Sequence, residues 1–221
     1  MTVWSSIKAA LEAVEKEIQS LFSSQPVSKN VQSCPLPPKS GKTLSNIKRI
    51  GTDAFKRDER GRIVAVRTGG PTGYGHGGAP GETFMLDQYE LELKDGSKIV
   101  AFKSQGKLDQ QTGKIVPDAR MDTDCHGVTF TDGEYWIDNP EVDAILAGGG
   151  FKKTTTAKPG DVLVYRDSNN EIVHSVTVTE VDKDNKVTKV SGLGGIEMKE
   201  HQDPPDKGWH DPNATQEVWS K

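Results

Sequence analysis

Residues 159–190 read PGDVLVYRDSNNEIVHSVTVTEVDKDNKVTKV, and the pattern of this stretch decides the fold. Apolar and β-branched residues concentrate in Val162 to Tyr165, Ile172 to Val181 and Lys186 to Val190, which predicts three β-strands. The two segments between them are rich in Asp, Asn and Ser, the residues that form tight turns. Strands joined by such short turns pair side by side, so the stretch predicts a three-stranded antiparallel meander.

Further elements are predicted upstream of the meander. Arg62 to Arg67 and Phe84 to Leu93 are strand candidates, and Asp95-Gly96 predicts a hairpin turn into another strand, Lys98 to Phe102. A short helix is predicted after Asn139, which we expect to cap it, with a proline at its first position. The pattern therefore predicts strands on both sides of a short helix.

A glycine-rich segment, Gly69 to Gly81, separates the first two strand candidates. It contains one G-x-G-x-x-G spacing, but a phosphate cradle requires a helix immediately after the glycines. Here the glycines lead into a strand-like segment instead, so we interpret the segment as a mobile loop and not as a nucleotide site. Its Tyr74 and His76 are candidates for contacts in a substrate groove.

The N-terminal region differs in composition from the rest of the chain. Apolar residues three or four apart from Val3 to Phe22 predict an amphipathic helix, which either packs on the main domain or serves in docking or export recognition. Ser23 to Asn46 holds four prolines and few apolar residues, which predicts a linker or surface strap. The predicted organisation is a helix over 1–22, a linker over 23–46 and a main domain over 47–221.

The composition argues against several classes of function. The formal net charge is −4 and the pI about 5.8, so no global positive field recruits nucleic acid or an anionic membrane surface. No apolar run approaches the roughly 20 residues of a transmembrane helix. The first residues lack the basic and apolar regions of a secretory signal, so we expect any export to use another route.

Two residues far apart in the chain carry the candidate chemistry. Cys125 lies in a polar, glycine-flanked turn, MDTDCHG, and His174 follows on the middle strand of the meander. A thiol attacks as thiolate, and an imidazole can take its proton and return it to the leaving group. We therefore expect Cys125 to be a nucleophile and His174 its base. The other cysteine, Cys34, is interpreted as an exposed thiol rather than as a disulfide partner of Cys125.

The residues around Cys125 match two metal-binding patterns only in part. From Asp122 the spacing follows a calcium loop at several positions, but its twelfth position is Gly133, where a bidentate Glu is required. Zinc held by Cys125, His126 and His174 has no C-x-x-C or H-E-x-x-H spacing to support it. We therefore expect neither a metal nor another cofactor.

Three motifs, taken in order, resemble the NlpC/P60 type of papain-like cysteine hydrolases. They are Asp124-Cys125-His126-Gly127, Pro159 to Tyr165, and Val173 to Val176, and the resemblance covers roughly Asp122 to Ser191. It implies an α+β fold with a papain-like core, in which Cys125 begins a helix packed on an antiparallel sheet that carries the histidine. It also implies cleavage of peptide or amide bonds in peptidoglycan stem peptides.

The resemblance further implies a third polar residue that orients the imidazole of His174. His201 and Ser191 are the candidates, and His201 is preferred because an imidazole can accept the N–H bond. The sequence departs from the family pattern at His126, where many relatives carry Ser, and over 128–137, where helix propensity is weak. We expect His126 to shape the site rather than to act as the base.

In size and layout, and in its missing secretory signal, the chain resembles antibacterial effectors delivered by the type VI secretion machinery. That resemblance implies action in the target periplasm, and it implies an immunity protein and the secretion apparatus as partners. Neither nucleic acid nor a membrane is expected as a partner. A chain that is not an effector is expected in the cytoplasm. Two other functions stay open: a non-enzymatic binding module with a decayed site, and a thiol amidase or acyltransferase that acts on protein substrates.

Overall fold

The structure, a computed structural model, describes residues 47–74, 81–118, 122–194, 199–207, 209 and 211–221. The chain divides into two units, Met1–Gln32 and Ser33–Lys221, and every described residue belongs to the second. The predicted N-terminal helix and linker, 1–22 and 23–46, lie outside the described residues, as does His76.

Two antiparallel sheets contain the strands of the described residues. In chain order these strands are β1 (Ala65–Tyr74), β2 (Phe84–Glu92), β3 (Lys98–Leu108), β4 (Ile115–Val116), β5 (Lys152–Thr154), β6 (Val162–Arg166), β7 (Ile172–Val181), β8 (Val187–Gly194), β9 (Lys199–Asp203) and β10 (Thr215–Ser220). The first sheet has the order β1-β2-β3-β4, and the second has the order β5-β10-β6-β7-β8-β9.

The same part of the chain contains a 3₁₀ helix, Ile50–Ala54, and two α-helices, α1 (Cys125–Thr131) and α2 (Glu141–Gly148). Helices accompanying antiparallel sheets place the chain in the α+β class, as predicted. No helix among the described residues is both long and apolar enough to cross a membrane.

The predicted meander is confirmed as β6, β7 and β8, and its two turns use the same interactions. Asp167 and Asp182 each accept, through one carboxylate oxygen, the backbone N–H groups two and four positions later, at 2.8 to 2.9 Å. Asn170 and Asn185 complete the turns with positive φ angles of 66° and 59°, which asparagine adopts more readily than most residues. Turn chemistry that is visible in the sequence therefore helps to set the register of the meander.

The first sheet extends farther into the glycine-rich segment than the sequence predicts. β2 and β3 confirm the predicted strands and hairpin, but β1 begins at Ala65 instead of Arg62 and continues to Tyr74. The first half of the segment is therefore strand and not mobile loop. Backbone pairing with β2, for example of Gly69 with Gln88, holds these residues extended and outweighs the weak strand propensity of glycine.

The C-terminal residues form β9 and β10, although their polar composition gave no prediction of strands. β10 inserts between β5 and β6 and pairs with both. Its Val218 packs in the same cluster as Leu163, while its Trp219 packs against the cluster that contains Val162. The strand is fixed by these long-range contacts, which leave no local pattern in the sequence.

The six-stranded sheet is covered on both faces. Val162 and Val164 of β6 pack in one cluster with residues of both α-helices, and we call this side the helix face. Leu163 and Tyr165 pack in a separate cluster to which Trp209 is added, and we call this side the outer face. Neighbouring residues of a central strand therefore lie in two separate environments.

Gly127 is the position at which the close packing of α1 against its surroundings can be tested. A Cβ at this position would overlap the carbonyl oxygen of Tyr135 and the hydroxyl oxygen of Thr123, which are hydrogen-bonded to each other at 3.0 Å. Because neither atom can move without breaking that bond, we expect Gly127→Ala to lower the free energy of unfolding by about 3 kcal/mol.

The matched control is Gly69→Ala, because a Cβ there would lie 3.9 Å from its nearest neighbour, the Cβ of Gln88. We expect this variant to change the free energy of unfolding by less than about 1 kcal/mol. Urea unfolding followed by circular dichroism measures both values. Equal losses in the two variants would contradict the tight packing of α1.

Candidate active site

Helix α1 begins at the residue predicted to be the nucleophile. Asp124 is its N-cap, and one carboxylate oxygen accepts the N–H groups of Gly127 at 2.6 Å and of Ile137 at 3.2 Å. Cys125 is the first residue of the helix, as the family resemblance implied. The weak helix propensity of the segment is offset by this cap and by Thr129, whose hydroxyl donates to the carbonyl oxygen of Cys125 at 2.8 Å.

The side chain of Cys125 is only 3% exposed. It belongs to an apolar cluster that draws residues from both sheets; the buried members are Phe84, Leu86, Trp136 and Leu193, and Tyr74, Phe102 and Val128 pack against them. Tyr74, a predicted contact residue, thus packs in the same cluster as the candidate nucleophile.

Tyr74 keeps its phenol protonated in these surroundings. Burial raises the pKa of Tyr74 to about 12, and the negative charges of Asp138 and Asp124 act in the same direction. The phenol therefore remains a hydrogen-bond donor at neutral pH.

His126, the residue after Cys125, is completely buried and bonded at both ring nitrogens. Nδ1 lies 2.8 Å from the hydroxyl oxygen of Ser175, and Nε2 lies 2.9 Å from the amide oxygen of Asn139. Burial lowers the pKa of His126 to about 4, although the bond to Asn139 acts in the opposite direction. The imidazole is therefore neutral at neutral pH and keeps a lone pair on one ring nitrogen, although its burial makes it a weaker base than an exposed histidine.

Reactive atoms converge at the start of α1. One ring nitrogen of His126, the sulfur of Cys125 and a carboxylate oxygen of Asp124 all lie within 4.8 Å of one another. A metal ion held by these three residues would compete with the hydrogen bonds of the helix cap and of one ring nitrogen of His126.

His174 lies on the other side of the sheet from α1. Its neighbour Ser175 bonds to His126 on the helix face, and successive residues of a strand point to opposite faces. The ring of His174 accordingly stacks on Trp209, with centroids 4.7 Å apart, and lies 5.5 Å from the ring of Tyr165. The structure therefore does not bring the side chains of Cys125 and His174 together.

The two candidates for a third residue lie on β8 and β9. Ser191 is buried and pairs with Thr177, and this register puts it on the helix face, away from His174. His201 lies in β9, where its backbone pairs with Gly192. Because Cys125 and His174 lie on opposite sides of the sheet, neither Ser191 nor His201 can complete the predicted group of three residues on one face.

The sequence analysis did not assign Ser175 and Asn139 to the site. Asn139 was predicted to cap α2, but that prediction is wrong: the N-cap is Pro140, and no side chain caps this helix. The amide oxygen of Asn139 receives a hydrogen bond from His126 instead. Asn139 was visible in the sequence as a polar residue directly before Pro140, but this pattern indicates a helix cap and not a partner for His126.

Comparisons with protein-family models, with curated proteins and with solved structures give no match. The likeness to the NlpC/P60 hydrolases thus rests on the short motifs alone.

The burial of His126 makes the stability of the fold depend on pH. Its pKa in the folded chain is about 4, below its ordinary value of 6.5, so the unfolded chain takes up a proton at this residue at higher pH. The contribution of neutral His126 is therefore fully present above pH 6.5 and is lost as the pH falls from 6.5 to 4. It amounts to about 3 kcal/mol.

The variant His126→Gln isolates this effect, because the carboxylates that titrate in the same range are common to both proteins. We expect the difference in free energy of unfolding between wild type and variant to shrink by about 3 kcal/mol from pH 7 to pH 4. Urea unfolding across this range measures the difference. A difference that stays constant would show that His126 is not buried in its neutral form.

Proposed function

We propose that the chain is a cysteine-dependent hydrolase in which Cys125 is the nucleophile and His126 accepts the thiol proton. This replaces the expectation that His174 is the base and that His126 only shapes the site. The observation that carries this proposal is the proximity of the sulfur of Cys125 to a ring nitrogen of His126, which lies within 4.8 Å of it. The hydrogen bonds of His126 to Asn139 and Ser175 fix the ring, which is the orienting role that a third residue plays in a catalytic triad.

The proposed reaction begins with a neutral imidazole. His126 takes the proton of the thiol, and the thiolate of Cys125 attacks the carbonyl carbon of an amide. The backbone N–H of Cys125, in the first turn of α1, is the donor that we expect to stabilise the oxyanion. The imidazolium then returns its proton to the leaving amine, and water releases the acyl group from the sulfur.

For the substrate, we propose peptide or amide bonds of peptidoglycan, cleaved by an antibacterial effector with a papain-like core. This part of the proposal is supported by the motifs around Cys125 and Pro159, not by the geometry of the site. The His174 motif no longer supports it, because that ring lies on the outer face. An immunity protein and a secretion apparatus are the partners that follow from it.

A non-enzymatic binding module is the second candidate function. Two observations favour it: Cys125 is only 3% exposed, and both ring nitrogens of His126 already have partners. In this alternative the His126 network serves only to join α1 to the sheet.

Variants of Cys125, His126 and His174 show which of the two histidines acts as the base. Because general acid–base catalysis contributes about 100-fold or more, we expect His126→Gln to lower the rate of muropeptide release from purified sacculi by at least that factor. Cys125→Ala should abolish release, and His174→Gln should leave the rate nearly unchanged, since that ring lies on the outer face. Loss of activity in His174→Gln with full activity in His126→Gln would overturn the assignment.

Thiol reactivity separates an enzyme from a binding module without a substrate. We expect Cys125 to be carbamidomethylated by iodoacetamide well below pH 8 and faster than Cys34, because a neighbouring base promotes the thiolate. Mass spectrometry of the tryptic peptides measures both rates in one sample. A Cys125 that stays unmodified in the folded protein would favour the binding module.

A further inference from the structure

We propose that Ser175 is a positioning residue that holds His126 in the tautomer with its hydrogen on Nε2. The role in catalysis rests on the proposed function, whereas the tautomer itself does not. Ser175 acts through His126 and is not expected to touch a substrate.

The tautomer follows from the two hydrogen bonds of the ring. An amide oxygen only accepts, so the bond of 2.9 Å to Oδ1 of Asn139 requires a hydrogen on Nε2 of His126. A neutral imidazole carries one ring hydrogen, which leaves a lone pair on Nδ1. The hydroxyl of Ser175, 2.8 Å away, must then donate to Nδ1.

The backbone of Ser175 is fixed relative to the nucleophile. The hydroxyl oxygen of Thr129 lies 2.8 Å from the carbonyl oxygen of Cys125 and 3.1 Å from that of Ser175, and its one hydrogen is shared between the two acceptors. Strand β7 therefore contacts α1 through both the side chain and the carbonyl group of Ser175. All of these residues are buried, which limits competition from water.

A hydroxyl suits both protonation states of the ring. It donates to Nδ1 while the imidazole is neutral. When the S–H bond of Cys125 breaks and the proton forms a bond to Nδ1, both ring nitrogens carry hydrogen, and the oxygen of Ser175 can turn to accept from Nδ1. Since Nε2 already holds a hydrogen, Nδ1 is the ring atom that would take the thiol proton, and the hydroxyl hydrogen of Ser175 has to turn away from Nδ1 for this step. Alanine at position 175 would support neither state.

The ring nitrogens of the unmodified full-length protein give the first test. Their ¹⁵N chemical shifts distinguish a protonated from an unprotonated nitrogen, and we expect hydrogen on Nε2 and none on Nδ1 between pH 6 and pH 8. Hydrogen on Nδ1 would overturn the proposal. This measurement needs neither activity nor a variant.

The second test measures the rate at which iodoacetamide alkylates Cys125 at pH 6. We expect Ser175→Ala to lower it about 10-fold, the equivalent of one lost hydrogen bond, and Ser175→Thr, which keeps the hydroxyl, to restore most of the rate. Equal rates in wild type and Ser175→Ala would overturn the positioning role. A Cys125 that is inert in the wild type would overturn the proposed function instead, and the ring shifts would still decide the tautomer.

Discussion

One buried imidazole connects the parts of the chain that form the candidate site. His126 belongs to α1, Ser175 to β7 and Asn139 to the segment before α2, so hydrogen bonds of 2.8 and 2.9 Å join three separate elements. A buried polar group that loses its partner lowers stability markedly, and each of the three residues therefore constrains the other two. The position of Cys125, the neighbour of His126 in the helix, depends on this connection.

Residues that are neighbours in the Val173–Val176 motif lie on opposite faces of the central strand β7. Ser175 faces the helices, while His174, its neighbour in the sequence, packs with Trp209 and Tyr165 on the outer face. The base that we propose for Cys125 therefore comes from the same helix and not from the sheet.

Local patterns in the sequence predicted much of the fold. The Asp-rich turns and β-branched runs located the meander, whereas the start of α1 at Cys125 was implied by the family resemblance and not by helix propensity. The faces of the strands were harder to assign, because a shift of one residue exchanges every side chain between the two faces. The bonds from His126 to Asn139 and Ser175 join distant segments and leave no periodic signal, and the same is true of the insertion of β10 between β5 and β6.

The central claim is that His126 and Ser175 stabilise the fold through their direct contact. A double-mutant cycle with His126→Leu, Ser175→Ala and the combined variant measures that coupling through the free energy of unfolding in urea. Because each single change leaves a buried polar partner unsatisfied, the account predicts that the two single losses together exceed the loss in the double variant by about 1 to 2 kcal/mol. Additive losses would contradict it.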